Sequence, residues 1–264
     1  MYTTRPAEFE YHRPSSLAEA VSLLGGEARP LAGGHSLLPL MKLHVTAPSA
    51  LVDLSGIPGL DGIAGDAHSV TVGAMATHEA VADSGAVNAA CPVLADCAGG
   101  IGDRQVRNRG TIGGSIAHAD PGADYPTVLT ALGATILVTG PGGDREVAAD
   151  DFFRGVFATA LEPGELVKAV RVPGTPPGTG AAYLKKKHPA SGYAVVGAAA
   201  VVNGDGQKVV VGGVAGKPVA AGDPGSLDFG SNLIGDSYAS SEYRVHLAGV
   251  LARRAIAAAR AAAS

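Results

Sequence analysis

Glycine and proline interrupt this chain so often that few of its segments can run far as either a helix or a strand. With 38 Gly and 17 Pro among 264 residues, the backbone repeatedly meets residues that favour turns or cannot donate to a ladder. Between the interruptions lie short apolar runs, which read as strands alternating with a few helices. An α+β architecture follows. Ser16-Leu17-Ala18-Glu19 has the form of a capping box, Leu17, Ala20, Val21 and Leu24 share one face behind it, and Gly25-Gly26 stops the helix. Strands are predicted at 28–32, 50–54, 69–74, 134–139 and 166–172, with helices after Thr77 and over 92–98. The Pro- and Gly-rich stretch 173–180 lacks apolar periodicity and marks the main boundary. Beyond it, strands at 193–202 and 208–214 are joined by Asn203-Gly204-Asp205-Gly206, a hairpin signal. The end of the chain reads as a helix capped by Ser240 or Ser241. Tyr243, Leu247, Val250 and Leu251 lie on one face, and Arg253, Arg254 and Arg260 favour its C-terminal half.

Composition narrows the function. A formal charge of -4 with mixed signs argues against a nucleic-acid surface or an anionic membrane as the main partner, and favours small molecules or proteins. Apolar runs such as 194–202 are shorter than a membrane span needs, and residues 1–14 show no apolar signal core. The expected location is the cytoplasm or the inner face of the membrane. Cys91 and Cys97 flank a helix start at Pro92, which puts their Cα atoms roughly 9 Å apart, too far for a bridge. They read as reduced core thiols. Two cysteines cannot supply the usual four thiolates of an iron–sulfur cluster, and neither CxxC, HExxH nor any metal-ligand spacing of the histidines is present. No metal site is expected in this chain.

Two matching segments carry the chemistry: AGGHS at 32–36 and TIGGS at 111–115, each read as a strand end followed by paired glycines and small polar side chains. A single glycine pair is usually a turn. Adjacent glycines can also bring successive N–H groups onto a phosphate oxygen with no Cβ in the way, and two such loops could each grip one half of a diphosphate. Ser36, Thr111 and Ser115 add hydroxyl donors. Neither segment is GxGxxG or GxxxxGK[ST], so a Rossmann site or a P-loop finds no support. Just downstream, His118-Ala119-Asp120-Pro121-Gly122-Ala123-Asp124-Tyr125-Pro126 places carboxylates near the second cradle. Asp120 and Asp124 there would suit the hydroxyls of a ribose, while Asp-Pro-Gly is also a strong turn former.

These residues resemble a known family, the FAD-binding medium subunits of carbon monoxide dehydrogenase and related molybdenum hydroxylases, including the flavin domain of xanthine dehydrogenase. The resemblance runs through residues 29–43, 101–126, 185–200, 212–219 and 240–255, in the family's order and across nearly the whole chain. It implies a vanillyl-alcohol-oxidase-type (PCMH-like) fold with two α/β subdomains, 1–60 and 61–175, and a C-terminal sheet-and-helix domain, 176–264. It also implies a non-covalently bound FAD. Arg29, Leu31, Ala32, Gly33, Gly34, His35, Ser36 and Leu37, with Gly110, Thr111, Gly113, Gly114, Ser115 and Ile116, would wrap its diphosphate. Ile101 and Gly102 would line the cofactor, and Asp124, with Asp120 and Ala123 beside it, would border it on the ribose side.

Leu166 and Lys185 would approach the cofactor and Tyr193 would sit near the isoalloxazine ring. Their plainer readings are strand core, a solvated charge in Lys185-Lys186-Lys187, and sheet packing. A cation near the flavin would stabilise the anionic reduced form. Arg104, Arg107 and Arg109 read as surface or interface charges. Ser115 stands where many relatives have Asn, and 220–236 matches little.

The implied partners are a large molybdopterin-binding subunit and a small [2Fe–2S] subunit in a dimer of heterotrimers, with quinone, oxygen or NAD as external acceptor. The alternatives are a stand-alone flavin oxidase with FAD covalently linked to His35, and a non-catalytic scaffold whose glycine segments merely turn.

Overall fold

The structure is a computed structural model and describes residues 5–263; the first four residues of the segment read for a leader lie outside it. The chain opens with β1 (Glu10–His12), α1 (Leu17–Leu23), β2 (Arg29–Leu31), α2 (Leu37–Lys42) and β3 (Ala50–Asp53), whose strands form a parallel sheet in the order β1-β3-β2. Ser16 caps α1 by accepting from the Glu19 amide, as expected. The Glu19 carboxylate reaches back to the Ser15 N–H (2.8 Å), one residue earlier than a capping box would place it.

Next come β4 (Ile63–Gly65), β5 (Ser69–Gly73) and the helices α3 (His78–Asp83), α4 (Gly85–Ala90), α5 (Pro92–Gly99), α6 (Arg104–Arg107), α7 (Ile112–His118) and α8 (Asp124–Leu132). Strands β6 (Thr135–Gly140) and β7 (Gly143–Ala148), the short α9 (Ala149–Phe152), β8 (Phe153–Gly155), β9 (Ala158–Thr159) and β10 (Leu166–Pro173) follow. A five-stranded antiparallel sheet, β4-β5-β10-β6-β7, backs the helices and gathers most of one hydrophobic core, including Val70, Val72, Ile136, Val138 and Val170. Cys91 and Cys97 are free and buried in that core.

The last unit is the antiparallel sheet β11 (Gly180–Lys187), β12 (Ala194–Asn203), β13 (Gly206–Gly212) and β14 (Val219–Ala221), with the long α10 (Ser241–Ala262) packed on it. Asn203 pairs with Gly206, so the expected hairpin turns through Gly204 and Asp205. The stretch 220–236 holds the end of β14 and one 3-10 turn, and Leu227 and Phe229 join the second core.

Two helices differ from expectation. α8 packs against α5 and against β12 and β13, and eight of its nine residues are buried. It is buried on nearly every side, its polar residues Asp124, Thr127 and Thr130 included, and so shows no division into an apolar stripe and a solvated face. α10 buries Ala248, Leu251, Ala252, Ala255, Ile256 and Ala259, while Tyr243 is exposed. Small side chains line that face because backbone comes close: a Cβ at Gly180 of β11 would overlap the Ala259 carbonyl. Arg244 lies on the same buried face and donates to the carbonyls of Val195 (2.5 Å), Gly213 (2.9 Å) and Ala239 (3.3 Å) and to Asp236 (2.6 Å). Arg244→Met takes a donor from the Val195 and Gly213 carbonyls and from Asp236, while Ala239 keeps the Asp236 N–H, and is expected to lower stability by roughly 3 kcal/mol, read by urea unfolding.

Candidate functional site

Where the first sheet meets the helices of the second unit, a cavity of about 480 Å³ opens, within the range of small-molecule and cofactor sites. Both glycine segments line it. In the first, β2 ends at Leu31, the chain passes through Gly33 and Gly34 (φ +75), and α2 begins at Leu37. No hydrogen bond among the described residues uses the amide N–H of Gly33, Gly34, His35, Ser36 or Leu37. All five residues border the cavity. A run of main-chain donors with no protein acceptor forms a concave nest suited to an anion.

The second segment differs from its expected form. It is not a strand end running into a loop: Thr111 caps α7, and Ile112-Gly113-Gly114-Ser115 is the first turn of that helix. Its amides already have acceptors. Ile112 donates to the Ala76 carbonyl, Gly113 to Ala74, Gly114 to the Thr111 hydroxyl and Ser115 to the Thr111 carbonyl. What this segment offers a ligand is closeness and hydroxyls. The Thr111 oxygen accepts from Gly114 and keeps its own proton to donate, and Ser115 adds a second hydroxyl on the wall.

The two segments touch. A Cβ at Gly33 would overlap the Arg109 carbonyl and stand 2.8 Å from the Gly110 Cα, and a Cβ at Gly114 would lie 3.4 Å from the Ala32 Cβ. Glycine at these positions lets the two segments come together on the cavity wall. The donor set is of a kind that would suit a diphosphate: five main-chain N–H groups without a protein acceptor on one segment and two hydroxyls on the other, all on residues that line the cavity.

Asp120 and Asp124 both line the cavity but are built differently. Asp120 Oδ1 accepts from the Gly122 N–H (2.8 Å) and the Ala123 N–H returns to the Asp120 carbonyl, so the Asp-Pro-Gly turn forms. Asp124, 4% exposed in the first turn of α8, accepts from the Tyr183 hydroxyl (2.5 Å) and from Lys185 Nζ (2.8 Å). Burial pushes its carboxyl above the ordinary range, while Lys185 and then Tyr183 pull the other way. Both donors come from β11, so the last sheet grips the wall of the cavity.

Two further links fix the loop between β11 and β12. Lys187 Nζ donates to the Gly102 carbonyl (3.1 Å), and the Ala194 N–H to the Gly122 carbonyl (3.0 Å). They hold Tyr193 on the cavity rim at 41% exposure, where burial and Asp120 raise its phenol above the ordinary range.

Arg29, Ala32, Ile101, Gly102, Gly110, Gly113, Ala123 and Leu166 also border the cavity. Leu31, Ile116 and Lys185 do not. Leu31 closes β2, Ile116 turns into the core at 0% exposure, and Lys185 is turned onto Asp124 and the Gly192 carbonyl. Arg107 pairs with Glu79 at 2.6 Å and is mostly buried, while Arg104 reaches the same carboxylate from solvent.

Residues 7–175 match the family described as the FAD binding domain in molybdopterin dehydrogenase. The carbon monoxide dehydrogenase medium chain of Afipia carboxidovorans is 41% identical over 97% of this chain and 98% of its own length. The chain belongs to the FAD-binding medium subunits of the molybdenum hydroxylases. A glyceraldehyde dehydrogenase medium chain of Sulfolobus acidocaldarius is 38% identical over 87% of this chain and 82% of its own. Among solved structures, carbon monoxide dehydrogenase from Hydrogenophaga pseudoflava, in a form lacking the Mo-pyranopterin moiety of the molybdenum cofactor, superposes with a TM-score of 0.92. It is 38% identical and covers 98% of this chain and 100% of its own.

As a medium subunit the chain is the flavoprotein component of an oxidoreductase and takes FAD. Several residues of its cavity were not legible beforehand: Met75, His78, Val106, His118, Phe157 and Glu165. Phe157 holds a positive φ (53°), stacks on His118 and donates its N–H to the Ala119 carbonyl. Lone histidines and aromatics carry no spacing signal, and only the Thr77 cap before His78 hinted that this ring opens a helix.

Proposed function

We propose that this medium subunit is the electron outlet of a molybdenum hydroxylase of the carbon monoxide dehydrogenase type. A large subunit with a molybdenum centre oxidises the substrate, and a small subunit with [2Fe–2S] clusters conducts the electrons. FAD bound here would supply the link from those clusters to an external acceptor, quinone, oxygen or NAD. When bound, flavin supplies the junction between one-electron and two-electron carriers. The chain's own residues bind it, orient it and screen it. The nest at 33–37 and the hydroxyls of Thr111 and Ser115 take the diphosphate. Asp124 accepts from ribose or ribityl hydroxyls with the lone pairs that Tyr183 and Lys185 leave over, and Tyr193 closes the rim.

The observation that carries this reading is the run of five uncommitted N–H groups set against a second glycine pair. A vanillyl-alcohol-oxidase-type arrangement, with subdomains at 1–60 and 61–175 and a C-terminal domain at 176–264, agrees with the way the three main sheets divide the chain. A dimer of heterotrimers is the assembly we infer, and two free cysteines suit a reducing cytoplasm.

The substrate pocket belongs to the large subunit. The test is purification of the complex with iron and molybdenum analysis and a flavin spectrum. One FAD per chain is expected, released completely into the supernatant by acid precipitation. Yellow colour left in the pellet would mean a covalent link at His35 and favour the stand-alone oxidase.

A further inference from the structure

At the seam where the two glycine segments touch, α3 presents an imidazole that no motif pointed to. The His78 N–H donates to the Gly110 carbonyl (2.9 Å), and its ring edge lies so close to Gly110 that a Cβ there would stand 2.6 Å from Nε2. The same Gly110 supports Gly33 from the other side. The His78 ring therefore borders the cavity at the mouth of the nest.

Its tautomer follows from its neighbours. Tyr125 is fully buried, and the one hydrogen-bond partner of its hydroxyl among the described residues is His78 Nδ1, at 3.2 Å. A buried hydroxyl needs an acceptor, so Nδ1 takes that proton and the ring's own hydrogen sits on Nε2. Nε2 has no partner among the described residues. The one sealed and unpartnered side-chain atom among them is Thr130 Oγ1, so Nε2 opens onto the cavity. Burial holds the ring neutral, its pKa lowered to about 4, with His35 and then Arg107 adding to the effect.

We infer that His78 is a further cofactor-binding residue, whose Nε2–H donates to an oxygen of the FAD diphosphate and whose tautomer is set by Tyr125. This rests on the flavin assignment above. A fixed neutral donor adds a sixth hydrogen bond to the nest without placing a cation beside the flavin's electron path.

The experiment uses the purified complex, stripped of flavin and titrated with FAD by fluorescence. His78→Gln keeps an N–H at similar reach and is expected to bind within about threefold of wild type. His78→Leu loses a hydrogen bond to a charged group and is expected to bind about 10- to 100-fold more weakly. His78→Glu, the size of Gln but anionic, should bind more weakly still. Gln against Glu decides the matter even if Leu fails to assemble.

Tyr125→Phe is expected to weaken binding by several fold in the wild-type background and not at all in the His78→Gln background, which has no tautomer to fix. Equal affinity of the Gln and Glu variants would overturn the inference. An equal cost of Tyr125→Phe in both backgrounds would overturn the role given to Tyr125. A wild-type complex that takes up no FAD would overturn the flavin assignment itself.

Discussion

Gly114→Asp is expected to strip the flavin from the purified complex while leaving the protein folded. A Cβ at Gly114 would stand 2.9 Å from the Thr111 hydroxyl and 3.4 Å from the Ala32 Cβ, so the new side chain enters the gap between the two glycine segments. Gly114 is half-buried in the first turn of α7 and its N–H is already capped, so the helix itself can persist. The loss comes from charge as well as bulk. A carboxylate about 4 Å from a phosphate costs about 4 kcal/mol at an effective dielectric near 20, roughly a thousandfold in affinity. Gly114→Ala is the control: the Thr111 side chain can give a few tenths of an ångström, and most of the flavin should stay. The readout is the ratio of flavin absorbance to protein, with circular dichroism to confirm the fold.

Lys185→Met should be the most destabilising single change at the site. It leaves the Asp124 carboxylate, 4% exposed, with only the Tyr183 hydroxyl as partner. Removing one member of a buried pair costs about 3–5 kcal/mol, because the remaining charge is stranded. Unfolding in urea measures the loss. The double variant Asp124→Asn with Lys185→Met removes the stranded charge and should recover most of the stability without recovering flavin affinity. A double variant as unstable as the single one would show that Lys185 acts through packing and not through Asp124.

The parts of this site that could be read from sequence are those in which backbone chemistry is written directly into residue type. Gly33 stands out because no side chain fits against Arg109 and Gly110, and Gly34 because its φ is positive and a Cβ would crowd Leu38. The Asp-Pro-Gly turn at Asp120 and the hairpin at Asn203 stand out for similar reasons. The second glycine pair was found but its setting was not. Two glycines in a row argue against a helix, and only the Thr111 cap and contacts to Ala74 and Ala76 make Ile112–His118 helical.

Periodicity failed where burial is complete or where contacts are small. α8 has almost no solvated face to set off its pattern, and the buried face of α10 is mostly alanine, with Leu251, Ile256 and Arg244 among them and Tyr243 left outside. Lys185 sits in a run of three lysines whose members face different ways once β11 forms. Strand alternation puts Lys185 on the side of Tyr183 and Asp124 and points Lys186 the other way. The bond between His78 and Tyr125 spans 47 positions and leaves no local trace.

The central claim is that both glycine segments close on one diphosphate. Its most direct test is a crystal structure of the complex with FAD bound. The account predicts phosphate oxygens within hydrogen-bonding distance of the N–H groups of residues 33–37, with Gly114 and Ser115 against the same diphosphate. A diphosphate bound elsewhere, with either segment turned away from it, would contradict the account.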